Sequence, residues 1–190
     1  MSLTNILQEK ITVNIENVVA TSSLHHTVNI KKILGQFPDS KYSPDKFPGA
    51  VVRMSKPRSV ILVFKSGSIV STGTNSEESA HEAISRFATK INRIEKLHDL
   101  KTDDIKIENV VASCNLGRKI HLEQAARTLP RSMYEPEQFP AVIHRLYYPK
   151  TVALIFASGR IVCVGGKSSQ EIKNSINTIR MELEEHDLIL

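Results

Sequence analysis

The chain has 190 residues, 41% of them hydrophobic and 24% charged, with a formal net charge of +5. That length supports one large domain or two small ones, and the composition is that of a globular protein able to bury a core. The longest apolar run, VALIFA at Val152–Ala157, falls far short of the roughly 20 residues a membrane-spanning helix needs. The opening residues, MSLTNILQEK, show no basic stretch leading into an apolar core, so no secretory signal is expected. Cys114 and Cys163 are the two cysteines, too few for a disulfide framework, and they point to a reducing compartment. An intracellular protein with no membrane partner is the expectation. The basic excess lies in the first half, where residues 1–100 hold 13 Lys+Arg against 9 Asp+Glu; residues 101–190 hold 12 against 11. This suits a polyanion partner, and equally an ordinary solvated surface.

In chain order the first elements are a strand over Ile11–Thr21, alternating and rich in β-branched residues, and a short helix over Thr27–Gln36 stopped before Pro38. The turn-rich SKYSPDKFPG leads into a strand over Ala50–Met54. A Lys-Pro-Arg turn joins this to a strand over Ser59–Lys65, and a Ser-Gly turn leads to another over Ser68–Thr74. Asn75 or Ser76 is the expected N-cap of a helix running to about Leu97, with Glu77 and Glu78 in its first turn. Its apolar stripe is Ala80, Ala83, Ile84, Phe87, Ile91 and Ile94.

The same order is then written again, 92 residues later. IENVVA at Ile15–Ala20 recurs at Ile107–Ala112, and KFPGAVVRMSKPRSVILVFKSG from Lys46 to Gly67 recurs as QFPAVIHRLYYPKTVALIFASG from Gln138 to Gly159. Over the 81 ungapped pairs from Ile15/Ile107 to Glu95/Asp187 there are 25 identities, where unrelated chains would share about five. Each unit reads β-α-β-β-β-α, the second ending in a helix over Ser169–Glu185. The repeats are placed at residues 11–98 and 103–187.

Helices with single apolar stripes cover one face of a sheet. Yet Val60, Leu62 and Phe64 alternate with Ile61 and Val63, and Val152, Leu154 and Phe156 with Ala153 and Ile155, so both faces of these strands are apolar. The uncovered face is either a binding surface or one packed against a second sheet or a partner copy.

Taken together, the repeated E-N-V-V strand, the repeated F-P with a second Phe downstream, the Lys-Pro-Arg turn and F-x-S-G-x-x-V-x-x-G resemble the TATA-box-binding protein family. The resemblance covers about Ile11 to Leu183 in both repeats, and with no long extension before the first repeat it is to the archaeal form. It implies an α+β saddle: a curved ten-stranded antiparallel sheet, four helices on the convex face and DNA beneath the concave one.

The resemblance also implies roles, all at residues of this sequence. Phe47 with Phe64, and Phe139 with Phe156, would be wedges that open base steps and kink the duplex. Asn17 and Asn109 would bond minor-groove acceptors at the centre, with Val19, Val111, Leu62, Leu154, Val70 and Val162 on the groove floor. Thr72 stands at a base-bonding position; Val164, its partner, departs from the family's usual Thr. Phosphates would be met by Lys46, Arg53, Arg58, Ser66, Arg145, Ser158, Arg160 and Lys167. Ser68 and Asn75 depart from the Lys that members often carry. Glu135 and Glu137, in YEPEQFP, would bind transcription factor B, with Gln138 where a Leu is common.

The implied protein is a general transcription initiation factor that binds and bends TATA-box promoter DNA in the minor groove and recruits transcription factor B and RNA polymerase. Its location would be the cytoplasm and nucleoid of an archaeon, or the nucleus of a eukaryote. A homodimer of the free chain through the concave face is left open. The alternatives are a specialised paralogue, a protein-interaction module without promoter binding, or an accessory domain of an enzyme. No catalytic or metal-ligating pattern is present: His25, His26, His81, His98, His121, His144 and His186 are scattered, and no phosphate-cradling glycine loop occurs. The expectation is no enzyme, no cofactor and no metal, with Cys114 and Cys163 as buried free thiols.

Overall fold

The computed structural model of the chain describes residues 11–95 and 105–190. The first repeat forms β1 (Asn14–Ser23), α1 (Ile30–Leu34), β2 (Ala50–Ser55), β3 (Arg58–Val63), β4 (Ser68–Thr74) and α2 (Glu77–Glu95). The second forms β5 (Lys106–Asn115), α3 (Leu122–Thr128), β6 (Ser132–Met133), β7 (Ala141–Arg145), β8 (Val152–Phe156), β9 (Arg160–Gly166) and α4 (Ser169–Glu185).

Among the described residues the strands make one sheet of nine, ordered β2-β3-β4-β1-β5-β9-β8-β7-β6. Counted inward from β2 at one end and from β7 near the other, the order meets matching strands of the two repeats. The α+β class therefore stands, while the expected ten strands become nine. Met133 of β6 pairs with Ile143, and their counterparts Lys41 and Val51 form an isolated bridge. A single bridged pair does not make a strand, and that bridge is what remains of the tenth.

Strand β4 and helix α4 occupy the expected spans; β1, β3 and α1 are shifted. The first helix starts later because Asn29 is extended (φ −86°, ψ 99°) and caps it through Lys32 N (3.3 Å); the N–H of Val28 is bonded to the Lys65 carbonyl (3.0 Å). β3 ends at Val63 because Phe64 already belongs to the following turn, its carbonyl accepting from Gly67 N (2.9 Å). Ser76 caps α2 through Ser79 N (3.0 Å), and Ser168, 92 residues on, caps α4 through Glu171 N (3.1 Å). The expected helix end at Leu97, His98, and the repeat boundaries at 98 and 103 lie outside the described residues.

The chain divides into two compact units. One contains Ile15–Val111 and Val164–Ile172; the other contains Ala112–Cys163 and Lys173–Leu190. In the first, α2 packs on β3 and β4. Ala80, Ala83, Ile84, Phe87 and Ile91 are fully buried there with Ile61 and Val63. Ile94, at the end of the expected stripe, is half-buried. In the second, α3 packs on β6 and β7, while Ala153, Ile155, Ile161 and Cys163 are buried with Ile176, Ile179 and Leu183 of α4. No helix among the described residues is long and apolar enough to cross a membrane.

Cys114 and Cys163 are buried free thiols. Burial, reinforced by the neighbouring Cys163, pushes the Cys114 thiol from an ordinary 9.0 up to about 11. The unfolded chain thus releases this proton first, so the contribution to stability is complete below pH 9 and is lost as pH rises towards 11. Replacing Cys114 by Ser, the residue at the sister position Ser22, removes the titration. The stability difference between the parent and Cys114→Ser, read from urea midpoints, should be constant below pH 9 and change by about 2–3 kcal/mol by pH 11 in the direction that disfavours the parent. A difference that stays flat across that interval contradicts the assignment.

Candidate nucleic-acid interface

Register decides which side chains share the face that the helices leave open. Arg53 pairs with Val60 and Val51 with Leu62 across β2 and β3. Val60 then pairs with Thr72 and Leu62 with Val70 across β3 and β4. Paired residues project on the same side of a sheet, so two rows emerge in this unit: Arg53, Val60, Thr72 and Val51, Leu62, Val70. Val19, Asn17, Asn109 and Val111 of the same unit are half-exposed, as are Leu62, Val70 and Thr72. The intervening Val52, Ile61, Val63 and Ile69 are at most 1% exposed. In the other unit Ile143 pairs with Leu154 and Arg145 with Val152, and Leu154 and Val162 are half-exposed. Each unit therefore buries one side of its strands and leaves apolar side chains accessible on the other.

The four phenylalanines resolve into two pairs. The Phe47 and Phe64 rings meet edge to face at 5.7 Å and 63°; Phe139 and Phe156 meet at 6.1 Å and 65°. Phe47 and Phe139 are each 38% exposed. One local device positions the first ring of each pair. Ser43 O accepts from Lys46 N and Phe47 N, and Glu135 O accepts from Gln138 N and Phe139 N, all at 2.9 Å. Pro44 and Pro136 follow the accepting residue, where their fixed φ favours such a turn. A second turn positions the other ring: Gly67 N and Gly159 N donate to Phe64 O and Phe156 O at 2.9 Å. Gly67 and Gly159 have φ of 88° and 87°, and a Cβ there would collide with the carbonyl of His26 or Arg118. Only glycine suits both demands.

Polar groups on the open face are few and unequal. Asn17 Nδ2 lies 3.1 Å from Thr72 Oγ1, the Thr72 hydroxyl is 3.2 Å from Asn17 Oδ1, and Gly73 N donates to that Oδ1 at 2.7 Å. Asn109 Oδ1 likewise accepts from Gly165 N at 2.9 Å, but its neighbour is Val164, with no hydroxyl to offer. In both repeats a glycine N–H orients the amide; in the first a hydroxyl engages it as well.

A chain with this doubled sheet and doubled ring pair can be placed among known proteins. It matches the family described as transcription factor TFIID (or TATA-binding protein, TBP) over residues 12–94 and again over 104–186. The chain belongs to this family. It is similar to the TATA-box-binding protein of Pyrodictium occultum, 42% identical over 93% of this chain and 88% of that protein. It is also similar to the TATA-box-binding protein of Pyrococcus furiosus, 37% identical over 95% and 94%. Among solved structures it resembles Methanococcus jannaschii TBP, with a TM-score of 0.80 and 34% identity over 91% of this chain and 98% of that one.

Of the cations expected for this TATA-binding-protein chain, Lys46, Arg53, Arg58, Arg145 and Arg160 are exposed. Lys167 is exposed too, but its Nζ donates to Glu108 O at 2.7 Å and to Glu108 Oε2 at 3.1 Å. Thr21 Oγ1 donates to the same carboxylate at 3.0 Å. These donors, Lys167 first, hold the Glu108 carboxyl below its ordinary range. Ser66 Oγ lies 3.0 Å from Ser68 Oγ, and Ser158 Oγ accepts from Arg160 N at 3.5 Å. Glu135 and Glu137 are exposed on the Pro136 turn. Residue types alone did not single out Glu108 as the anchor of Lys167; the two are 59 residues apart and meet only across strands. Among the described residues no group of three His, Cys, Asp or Glu could hold a metal ion.

Gly49 is a second residue missed by pattern. A Cβ there would come 2.8 Å from Phe47 Cε1 and 3.0 Å from Phe64 Cε1, so the first ring pair rests on bare backbone. The sister position is Ala141, where the rings stand further apart. Ring edges can shift, and replacing a glycine by alanine reduces the freedom of the unfolded chain, worth roughly 0.4–1 kcal/mol. Gly49→Ala should therefore change stability by less than about 1 kcal/mol in urea denaturation. Its ring separation in a structure of the variant should open towards that of the second pair. A loss beyond about 2 kcal/mol would mean that the first pair is locked where the second is not.

Proposed function

We propose that this chain is a general transcription initiation factor that binds TATA-box promoter DNA in the minor groove, bends it, and recruits transcription factor B and RNA polymerase. The observation that carries this reading is the accessible apolar sheet face, flanked in each unit by a half-open pair of phenylalanines, in a member of the TATA-binding protein family. The proteins similar to it are named for binding the TATA box.

The chemistry of the groove explains the composition of the face. A·T and T·A pairs show the minor groove the same acceptors, whereas a G·C pair adds a protruding amino group. Val19, Leu62, Val70 and Val111 in one unit, and Leu154 and Val162 in the other, supply shape without donors or acceptors. They lie close against A·T pairs and exclude that amino group. Asn17, Thr72 and Asn109 supply the few hydrogen bonds. The ring pairs Phe47/Phe64 and Phe139/Phe156 enter base steps at the two ends. Unstacking a step costs a few kcal/mol, the general figure for minor-groove proteins that kink DNA, offset by the contact a bent duplex makes with the sheet. Lys46, Arg53, Arg58, Ser66, Arg145, Ser158, Arg160 and Lys167 meet phosphates, which fixes position and carries no sequence information. Glu135 and Glu137 offer two carboxylates to transcription factor B on a turn where the first repeat has Ser43 and Asp45.

Two measurements test this. A duplex with an A·T-rich site, labelled at both ends for energy transfer, should bend on adding the protein. Phe64→Ala with Phe156→Ala should remove most of the bend and weaken binding at least tenfold. Equal bending by the parent and this double variant would sink the wedge assignment. In a gel shift, Glu135→Lys with Glu137→Lys should keep the DNA complex and lose the further shift produced by transcription factor B. An unchanged second shift would place the partner elsewhere.

A further inference from the structure

The tip of the hairpin joining β7 to β8 carries two aromatic side chains that the duplex reading does not use. Tyr147 and Tyr148 are 70% and 88% exposed. The base of the tip is held firmly. Leu146 N donates to Thr151 O at 3.0 Å, and the buried Thr151 hydroxyl donates to Ser175 Oγ of α4 at 2.9 Å. Two large rings thus project into solvent from a braced turn. Arg131 lies over one of them, its guanidinium carbon 4.4 Å from the Tyr147 centroid. Arg131, Arg145, Tyr147 and Lys150 line a cavity of about 300 Å³ whose lining contains no carboxylate.

The first hairpin is an internal control. At the sister positions it has Asp39 for Arg131, Ser55 for Tyr147 and Lys56 for Tyr148. The cavity beside that tip is lined by Asp39 as well as by Arg53, Lys56 and Lys90. The second tip has therefore exchanged an acid for a base and two polar residues for aromatics, while keeping Arg53/Arg145 and Pro57/Pro149.

We propose that the Tyr147–Lys150 tip, with Arg131 and Arg145, is a binding site for an unpaired nucleic-acid strand, phosphates held by the three cations and bases stacked on the tyrosine rings. Cations alone would suit any polyanion. Rings as exposed as Tyr148, and as Tyr147 on the side away from Arg131, suit a base whose own face is free, which a paired duplex does not present. An acidic peptide would use the cations and leave the rings without a partner. The site shares Arg145 with the margin of the sheet face, but Arg131, Tyr147, Tyr148 and Lys150 are not among the groups assigned to the duplex.

The test is fluorescence anisotropy of a labelled ten-nucleotide oligothymidylate with the full chain at low salt. The intrinsic tyrosine emission is followed alongside, because the chain has no Trp and only 4 Tyr. The parent should bind and its emission should be quenched. Tyr147→Ser with Tyr148→Lys, which copies the first tip, should weaken binding roughly 5- to 100-fold, and Tyr147→Phe with Tyr148→Phe should stay within about twofold because stacking survives. Lys150→Ala should flatten the dependence of log affinity on log salt by about 0.7. Equal affinity of the parent and the Ser/Lys variant overturns the proposal. So does a loss in the Phe variant as large as in the Ser/Lys variant, since hydroxyls and not rings would then be at work. Displacement of the oligonucleotide from the tip by an equimolar decaglutamate peptide also overturns it, in favour of an acidic protein segment.

Discussion

A β-sheet has two faces, and the helices of this chain are enough for one. Everything else in the structure follows from how that shortage is met. On the covered side Ile61, Val63, Ala153 and Ile155 reach full burial. On the other side Val60, Leu62, Val152 and Leu154 remain half-exposed, which is an expensive state for so much apolar surface in water. Each such side chain forgoes part of the roughly 1.5–3 kcal/mol that full burial contributes. A surface kept in that state at matched positions of both repeats is ready to be covered, and a minor groove rich in A·T pairs has the shape and the lack of donors to cover it.

Keeping the face open constrains the backbone at its ends. The rings that flank it cannot be held by packing from above, so turns hold them from behind. Pro44 and Pro136 fix one side of each pair, while Gly67 and Gly159 fix the other through a conformation closed to other residues. Glu135 and Glu137 of the second repeat stand on the very turn that aims Phe139. A protein docked on Glu135 and Glu137 would therefore bear directly on the segment that carries one ring of the second pair.

How much of this was legible beforehand depended on range. The repeat, read at an offset of 92 residues, disclosed the strand pattern, the helix stripes and the matched phenylalanines, because each of these is written in neighbours along the chain. β6 was not seen, since two residues carry no periodicity, and its sister in the first repeat is one bridged pair. The start of α1 was placed early because Asn29 is extended and serves as the N-cap, the segment before it being tied to the end of the following hairpin through Val28 N and Lys65 O. Long-range pairs were equally silent. Asn17 with Thr72, Lys167 with Glu108, and the buried His144, with Ser132 Oγ 2.9 Å from its Nδ1 and Glu182 3.0 Å from its Nε2, exist only once strands and helices meet. His144 replaces Val52 of the first repeat; a histidine at a buried strand position was the one available signal that a polar partner would be needed.

The differences between the repeats bear on direction. A doubled protein on a nearly symmetric A·T-rich site binds in two orientations, and only what differs between the halves can choose. On the sheet face the clearest difference is one hydroxyl, Thr72 against Val164. A net hydrogen bond contributes about 0.5–1.5 kcal/mol, and about 1.4 kcal/mol corresponds to a tenfold preference. That one hydroxyl would therefore bias orientation by no more than about tenfold. The larger differences lie at the margins of the second repeat: Glu135 and Glu137 on one turn, and Arg131, Tyr147 and Tyr148 around the next. Groups at the margin act on whatever approaches the complex and leave the grip on the groove alone. On the proposed reading, recognition of the site would be spread over both repeats, while the groups able to choose direction would be concentrated in the second.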